Sequence, residues 1–115
     1  MSEAIDVKEF LERVQDDKDL MLELFDIFQQ DYQEKRRNLS DAVGKKDLET
    51  IKSVAHSLKG SSGNISAKAM HACCLRIEQM AKAGDANIQN ELGQLDILFG
   101  QVQAHIERIK QESKK

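Results

Sequence analysis

The stretch Leu24–Gly60, LFDIFQQDYQEKRRNLSDAVGKKDLETIKSVAHSLKG, decides how this chain folds. Its apolar residues recur at steps of three and four: Leu24/Phe25, Phe28, Tyr32, Leu39 and Val43, then Leu48, Ile51, Val54, Ala55 and Leu58. Those steps keep side chains on one side of an α-helix, so the stretch reads as two amphipathic helices. Between them Gly44 serves as a stop and Asp47 as the N-cap of the second. A connection this short folds the second helix back along the first.

Outward from there the same period continues. The long helix begins near Lys18, with Leu20/Met21 on its stripe, and Ile5, Val7, Phe10, Leu11 and Val14 predict a short helix before it. Downstream, Gly63–Asn64 ends the third helix, and Ser66 is placed to cap a fourth carrying Ala69, Ala72/Cys73, Ile77 and Met80 on one side. AGDAN (Ala83–Asn87) breaks the chain. A fifth helix then runs from about Ile88 to Lys110 with Leu92, Leu95, Leu98/Phe99, Val102, Ile106 and Ile109 inward. There is no proline and no strand-like alternation. The expected fold is all-α: an antiparallel four-helix bundle with an additional short N-terminal helix covering one end, a single domain over residues 1–115. Phe25, Phe28 and Phe99 are assigned to its core. Phe10 or Leu11 of the short helix, if exposed, would join a docking surface.

Composition excludes several classes. At 40% hydrophobic and 32% charged residues, the chain is too apolar for disorder and has no run long enough for a bilayer. MSEAIDVKEF has neither the basic nor the apolar region of a signal peptide, so the chain is expected in the cytoplasm and away from membranes. A net charge of −3 with the two signs interspersed argues against nucleic acid. Cys73 and Cys74 are neighbours about 100° apart on a helix, unsuited to a mutual disulfide, and read as reduced core thiols. A metal site built from His71, Cys73 and Cys74 lacks a fourth ligand at a familiar spacing. His71 and His105 stand without a supporting constellation and read as structural or solvated.

The third helix is unusual on its outer side. At about 100° per residue, Ile51, Val54, Ala55, Leu58 and Ser62 form the buried sector, and His56 lies about 150° from its centre. Lys52 and Lys59 flank the edge, Gly60 follows His56 one turn on, and Gly63 comes next. A glycine in a helix interior costs about 1 kcal/mol relative to alanine. Its use there is close approach by another molecule. Exposed imidazole, nearby ammonium and cleared backbone together describe a surface for an anionic reacting group, and phosphoryl is the group expected there. The chain has no G-x-G-x-x-G, no Walker A and no acidic cluster placed for magnesium, so it should not phosphorylate itself from ATP, and its metal and half its active site must come from a partner.

These residues resemble a known family. AHSLKGSSGNISA (Ala55–Ala67) is similar to the signature of histidine-containing phosphotransfer (HPt) domains. The Leu24–Gly60 stretch resembles that family's long helix, turn and acceptor helix, and CCLRIEQMAKAGD (Cys73–Asp85) its following helix. The resemblance implies a four-helix bundle that shuttles phosphoryl groups between aspartates of receiver domains. His56 would then be the phospho-acceptor through Nε2, Lys59 would support the phosphoryl charge, and Gly60 would clear the approach. Ser57 would touch a partner, Ser62 would pack, and Gly63 would lie in the docking face. On the neighbouring helix Glu78, Gln79 and Lys82 fall where relatives orient the imidazole or contact the receiver; Glu78 or Gln79 could accept from Nδ1–H. Where the family has glycine this chain has Ser66, so Gly63 or Asn64 would supply the turn, or Ser66 would cap.

The leading expectation is a monomeric phosphorelay carrier that serves receiver domains of hybrid histidine kinases and response regulators. It would have no cofactor of its own, and magnesium would sit on the partner receiver domain. Two rivals stand beside it. One is the phospho-acceptor domain of a chemotaxis-type kinase, which a chain starting at Met1 without a catalytic domain disfavours. The other is a non-catalytic helical adaptor in which His56 is incidental.

Overall fold

The computed structural model describes residues 3–113. Among these residues there are five helices and no strand: α1 (Val7–Arg13), α2 (Lys18–Gly44), α3 (Leu48–Asn64), α4 (Lys68–Lys82) and α5 (Gln89–Ser113). The first three start on an aspartate. Asp6, Asp17 and Asp47 accept from the backbone N–H of Glu9, Leu20 and Thr50, the N-cap geometry that satisfies donors the first turn leaves free.

The ends of α1 to α4 share one device. The second residue beyond each helix turns left-handed: Gln15, Lys46, Ser66 and Gly84, with φ of 56°, 55°, 61° and 83°. The next N–H then reaches back to a carbonyl in the last turn, Asp16 to Leu11, Asp47 to Ala42, Ala67 to Ser62 and Asp85 to Met80, at 2.8–2.9 Å. This is the Schellman arrangement, which usually takes glycine at the left-handed position. Here glycine fills it only at Gly84. Gly44, expected as the stop, is the last helical residue of α2, and the left-handed conformation falls on Lys46.

The same arithmetic corrects the reading of Ser66. Between α3 and α4 one residue, Ala67, closes the first helix and opens the second, so the N-cap position falls on an alanine with no side-chain acceptor. Ser66 is itself the left-handed residue, and Gly63 and Asn64 stay helical. Its hydroxyl donates to Glu9 Oε1 at 2.8 Å, and its carbonyl accepts from the Asp6 N–H at 2.9 Å. With Arg13 donating to the Gly63 carbonyl at 2.6 Å and Lys68 paired to Glu9 at 2.9 Å, α1 is tied to the α3–α4 turn.

Paired residues give the helix directions. Arg36 meets Asp96 and Lys110 meets Asp26, so α2 and α5 run antiparallel; His56 meets Glu78 and His71 meets Lys59, so α3 and α4 do too. α3 packs between α2 and α4, and α5 closes the bundle against α4 and α2. The core contains the expected phenylalanines: the Tyr32 and Phe99 rings stack with centroids 3.8 Å apart, and Phe28 lies beside both. Phe10 joins them rather than a docking surface. It is only 2% exposed, its ring 5.3 Å from Phe25, and Leu11 is half-buried against the core.

The buried side of α4 also differs from expectation. It comprises Met70, Cys73, Cys74, Ile77, Glu78 and Ala81, while Ala69 and Ala72 are exposed and Met80 is half-buried. An alanine methyl removes little apolar area from water compared with a methionine, so Met70 and not Ala69 sets the helix rotation. That rotation carries Glu78 inside.

A left-handed non-glycine residue costs about 1–2 kcal/mol, partly offset by the greater freedom glycine has in the unfolded chain. Lys46→Gly is therefore expected to raise the urea midpoint. Ser66→Gly, which forfeits the bond to Glu9, should gain less or lose. A lowered midpoint for Lys46→Gly alongside a raised one for Ser66→Gly would show that side-chain bonding does not govern these turns.

Candidate functional site

α3 buries Ile51, Ala55 and Leu58 together with the hydroxyl-bearing Ser62, and leaves Leu48 and Val54 half-buried. His56 is thereby forced outward, its side chain 67% exposed. The ring does not swing freely. Its Nδ1 lies 2.9 Å from Glu78 Oε2 on α4. The other carboxylate oxygen, Oε1, accepts from Lys59 Nζ at 2.7 Å. Lys82, one turn along α4, brings its ammonium to 3.8 Å from Oε2.

Glu78 is the buried member of this set, with its side chain 5% exposed against 23% for Lys59. Burial alone would favour the protonated acid. The Lys59 hydrogen bond outweighs it and, with the His56 bond and the charges of Lys59 and Lys82, holds the carboxyl below its usual range. Glu78 is therefore an anion at neutral pH and can only accept. The proton between it and His56 belongs to Nδ1, so a neutral imidazole keeps its lone pair on Nε2, the outward nitrogen.

The remaining candidates separate by position. Gln79 is exposed, and Glu78 makes the contact that either might have made. Gly60 is exposed, and a Cβ added there would meet nothing within 4 Å, so the protein's own packing does not require glycine at this position. Gly63 is different: a Cβ there would stand 3.1 Å from His71 Nδ1. Ser57 is half-buried beside His56, the Ser61 hydroxyl donates to the Leu58 carbonyl at 3.2 Å, and Ser62 is fully buried, as expected.

The other two histidines bond to backbone groups. His71 bonds the Lys59 carbonyl, and His105, nearly buried, accepts from the Ile5 N–H through Nδ1 at 3.2 Å. Cys73 and Cys74 are free and buried, and burial pushes the Cys74 thiol up to about 12. Among the described residues, no three His, Cys, Asp or Glu side chains gather as a metal site would need. None of the described helices is long and apolar enough to cross a membrane.

Sequence reading left two features of this site undetected: the burial of Glu78 and the bond from His71. A signal for the first existed. Glu78 is four residues after Cys74 and three before Ala81, and those two small apolar residues mark one line of a helix. For His71 no signal existed, since its partner is a backbone carbonyl.

Chemically, the arrangement offers one oriented imidazole nitrogen and an ammonium held on the same carboxylate. Pockets for small molecules enclose most of the ligand's surface. A ring standing this far out instead suits a reacting group presented by another macromolecule.

The Hpt domain profile matches residues 23–112, from the second turn of α2 almost to the end of α5. Histidine-containing phosphotransfer protein B (HptB) from Pseudomonas aeruginosa PAO1 shares the fold with a TM-score of 0.86 at 24% identity, over 97% of this chain and 98% of that one. The HPT domain of the Hpt sensor hybrid histidine kinase from Shewanella does so with a TM-score of 0.80 at 19% identity, over 95% of each chain. No curated protein sequence matches. The profile match spans most of the chain and contains every residue of the His56–Glu78 site, and on that ground the protein belongs to the Hpt domain family, the histidine phosphotransfer proteins of phosphorelays.

Proposed function

We propose that His56 accepts a phosphoryl group on Nε2 from the aspartyl phosphate of a receiver domain and passes it to the aspartate of another. The Nε2 lone pair forms the new bond to phosphorus as the bond from phosphorus to the aspartate oxygen breaks. The carboxylate leaves with that electron pair. Nδ1 keeps its proton throughout, so the phosphorylated ring carries positive charge, which the Glu78 carboxylate stabilises. Return to a second receiver reverses these steps, with the neutral imidazole as leaving group. Lys59 offsets charge on the phosphoryl oxygens, Gly60 leaves the approach open, and Ser57, Gln79 and Lys82 border the face that meets the receiver. The receiver domains would be those of hybrid histidine kinases and response regulators. Magnesium would belong to the receiver, and the carrier works as a single cytoplasmic domain.

The observation that carries this reading is the shared carboxylate: Glu78 fixes the proton on Nδ1 of His56 and holds an ammonium 2.7 Å from its other oxygen. An adaptor would have no use for an exposed imidazole held in one tautomer.

The direct test is transfer of radiolabel from a phosphorylated receiver. Wild type should take label that is lost in acid and kept in alkali, and His56→Gln should take none. Label on His56→Gln, or on neither folded protein across a panel of receivers, would overturn the assignment.

Gly60→Ala should stabilise the fold by about 0.5–1 kcal/mol, because helix propensity rises and no internal clash opposes it. The same change should slow transfer. An unaltered transfer rate would mean that no partner comes close to Gly60.

Glu78 also predicts an acid limit. Because its carboxyl is held below its usual value, the pairing contributes stability that is fully present above that value, near 4.5. It is lost as pH falls through the lowered value in the folded protein. The stability advantage of wild type over Glu78→Gln, measured by urea unfolding, should therefore shrink as pH falls below about 4.5. A gap that is the same at pH 3 and pH 7 would contradict the ion pairing.

A further inference from the structure

His71 sits near the start of α4, facing the last turns of α3. Its Nδ1 lies 2.9 Å from the carbonyl oxygen of Lys59. A carbonyl only accepts, so Nδ1 carries a proton and donates it; the oxygen's second lone pair leaves the helix bond of Lys59 intact. The ring also lies directly on Gly63, where a Cβ would stand 3.1 Å from Nδ1 and 3.6 Å from Cε1. A side chain at Gly63 would push the ring back by a few tenths of an ångström.

This contact converges with the site. Lys59 is the residue whose ammonium meets Glu78, and Glu78 also holds His56. α4 therefore grips α3 at two levels: Glu78 takes the side chains of His56 and Lys59, and His71 takes the backbone of Lys59. Between the helices lie apolar residues such as Ala55, Leu58, Cys74 and Ile77, all fully buried. Apolar contact is non-directional and tolerates small axial shifts. A ring seated on a bare backbone and bonded to one carbonyl does not. A shift of one residue, about 1.5 Å along a helix, is enough to break the hydrogen bonds of Glu78.

Resting on the reading of His56 as phospho-acceptor, we propose that His71 is a positioning residue for phosphoryl transfer, seated on Gly63 and bonded to Lys59 so that α3 keeps the register at which Glu78 spans His56 and Lys59. It acts through the backbone of α3 and touches neither phosphoryl group nor receiver.

Two substitutions separate bonding from bulk. His71→Asn places an amide nitrogen where Nδ1 stands and keeps the donor. His71→Leu keeps the volume and loses the donor. Each is read by single-turnover transfer from a phosphorylated receiver and by 15N NMR of the unphosphorylated protein, which reports the His56 tautomer. His71→Leu is expected to slow transfer about ten-fold and to mix the two His56 tautomers, whereas His71→Asn should stay within about two-fold of wild type with one tautomer. A folded His71→Leu with wild-type rate and tautomer would overturn the proposal. So would a slow His71→Leu that retains the single tautomer and is not rescued by His71→Asn, because packing alone would explain it. If wild type takes no phosphoryl group, the phosphotransfer reading fails, and the proposal of a positioning role in transfer fails with it. The tautomer comparison would then show separately whether His71 sets the register.

Discussion

A carboxylate inside a helical bundle is costly unless its charge is met, and the penalty for burying an ion runs to several kcal/mol. Glu78 avoids it by spending both oxygens on α3, one on the His56 imidazole and one on the Lys59 ammonium. The same two bonds that make its burial tolerable leave Nε2 as the free nitrogen of His56 and hold a cation close by. Structure and chemistry are coupled here through one side chain. The site cannot be loosened without also leaving an anion unpaired in the bundle.

The turns place the site economically. Ala67 closes α3 and opens α4, and Asp47 does the same between α2 and α3, so the helices turn back with almost no loop between them. Short turns limit how far neighbouring helices can slide or twist, and they bring Glu78 and Lys59 opposite one another. The strain of a left-handed serine at the α3–α4 turn is offset by α1, whose Glu9 takes the Ser66 hydroxyl. α1 begins before the matched Hpt region, yet it braces the turn that sets the spacing of the two helices carrying the site.

The division of labour follows from exposure. In the proposed transfer, a ring two-thirds open to solvent would supply the nucleophile, its tautomer and a counter-charge. The remaining parts of that transfer, namely in-line geometry and most of the charge neutralisation, would fall to the receiver.

Much of this was legible in one dimension. Helical period alone placed the five helices, the aromatic core of Phe25, Phe28 and Phe99, and the outward direction of His56, because each depends only on neighbours three and four residues away. Asp47 was legible as a cap for the same reason. What the tertiary structure decided were matters of rotation and register between helices. Glu78 and Gln79 are adjacent on α4 and differ by about 100° in direction, so the packing of Met70 and Cys74 against the core had to choose between them. Phe10 became core because α1 folds onto α2, and Ser66 became left-handed because the Ala67 N–H turns back to the Ser62 carbonyl to close α3. His71 gained a partner on a backbone 12 residues away that no side-chain pattern announces. The sequence by itself determined which side of α2, α3 and α5 is apolar, since that pattern is local, whereas the small residues of α4 left its rotation to packing. Which polar group lies opposite which was settled only when the helices packed, since that depends on their relative rotation and height.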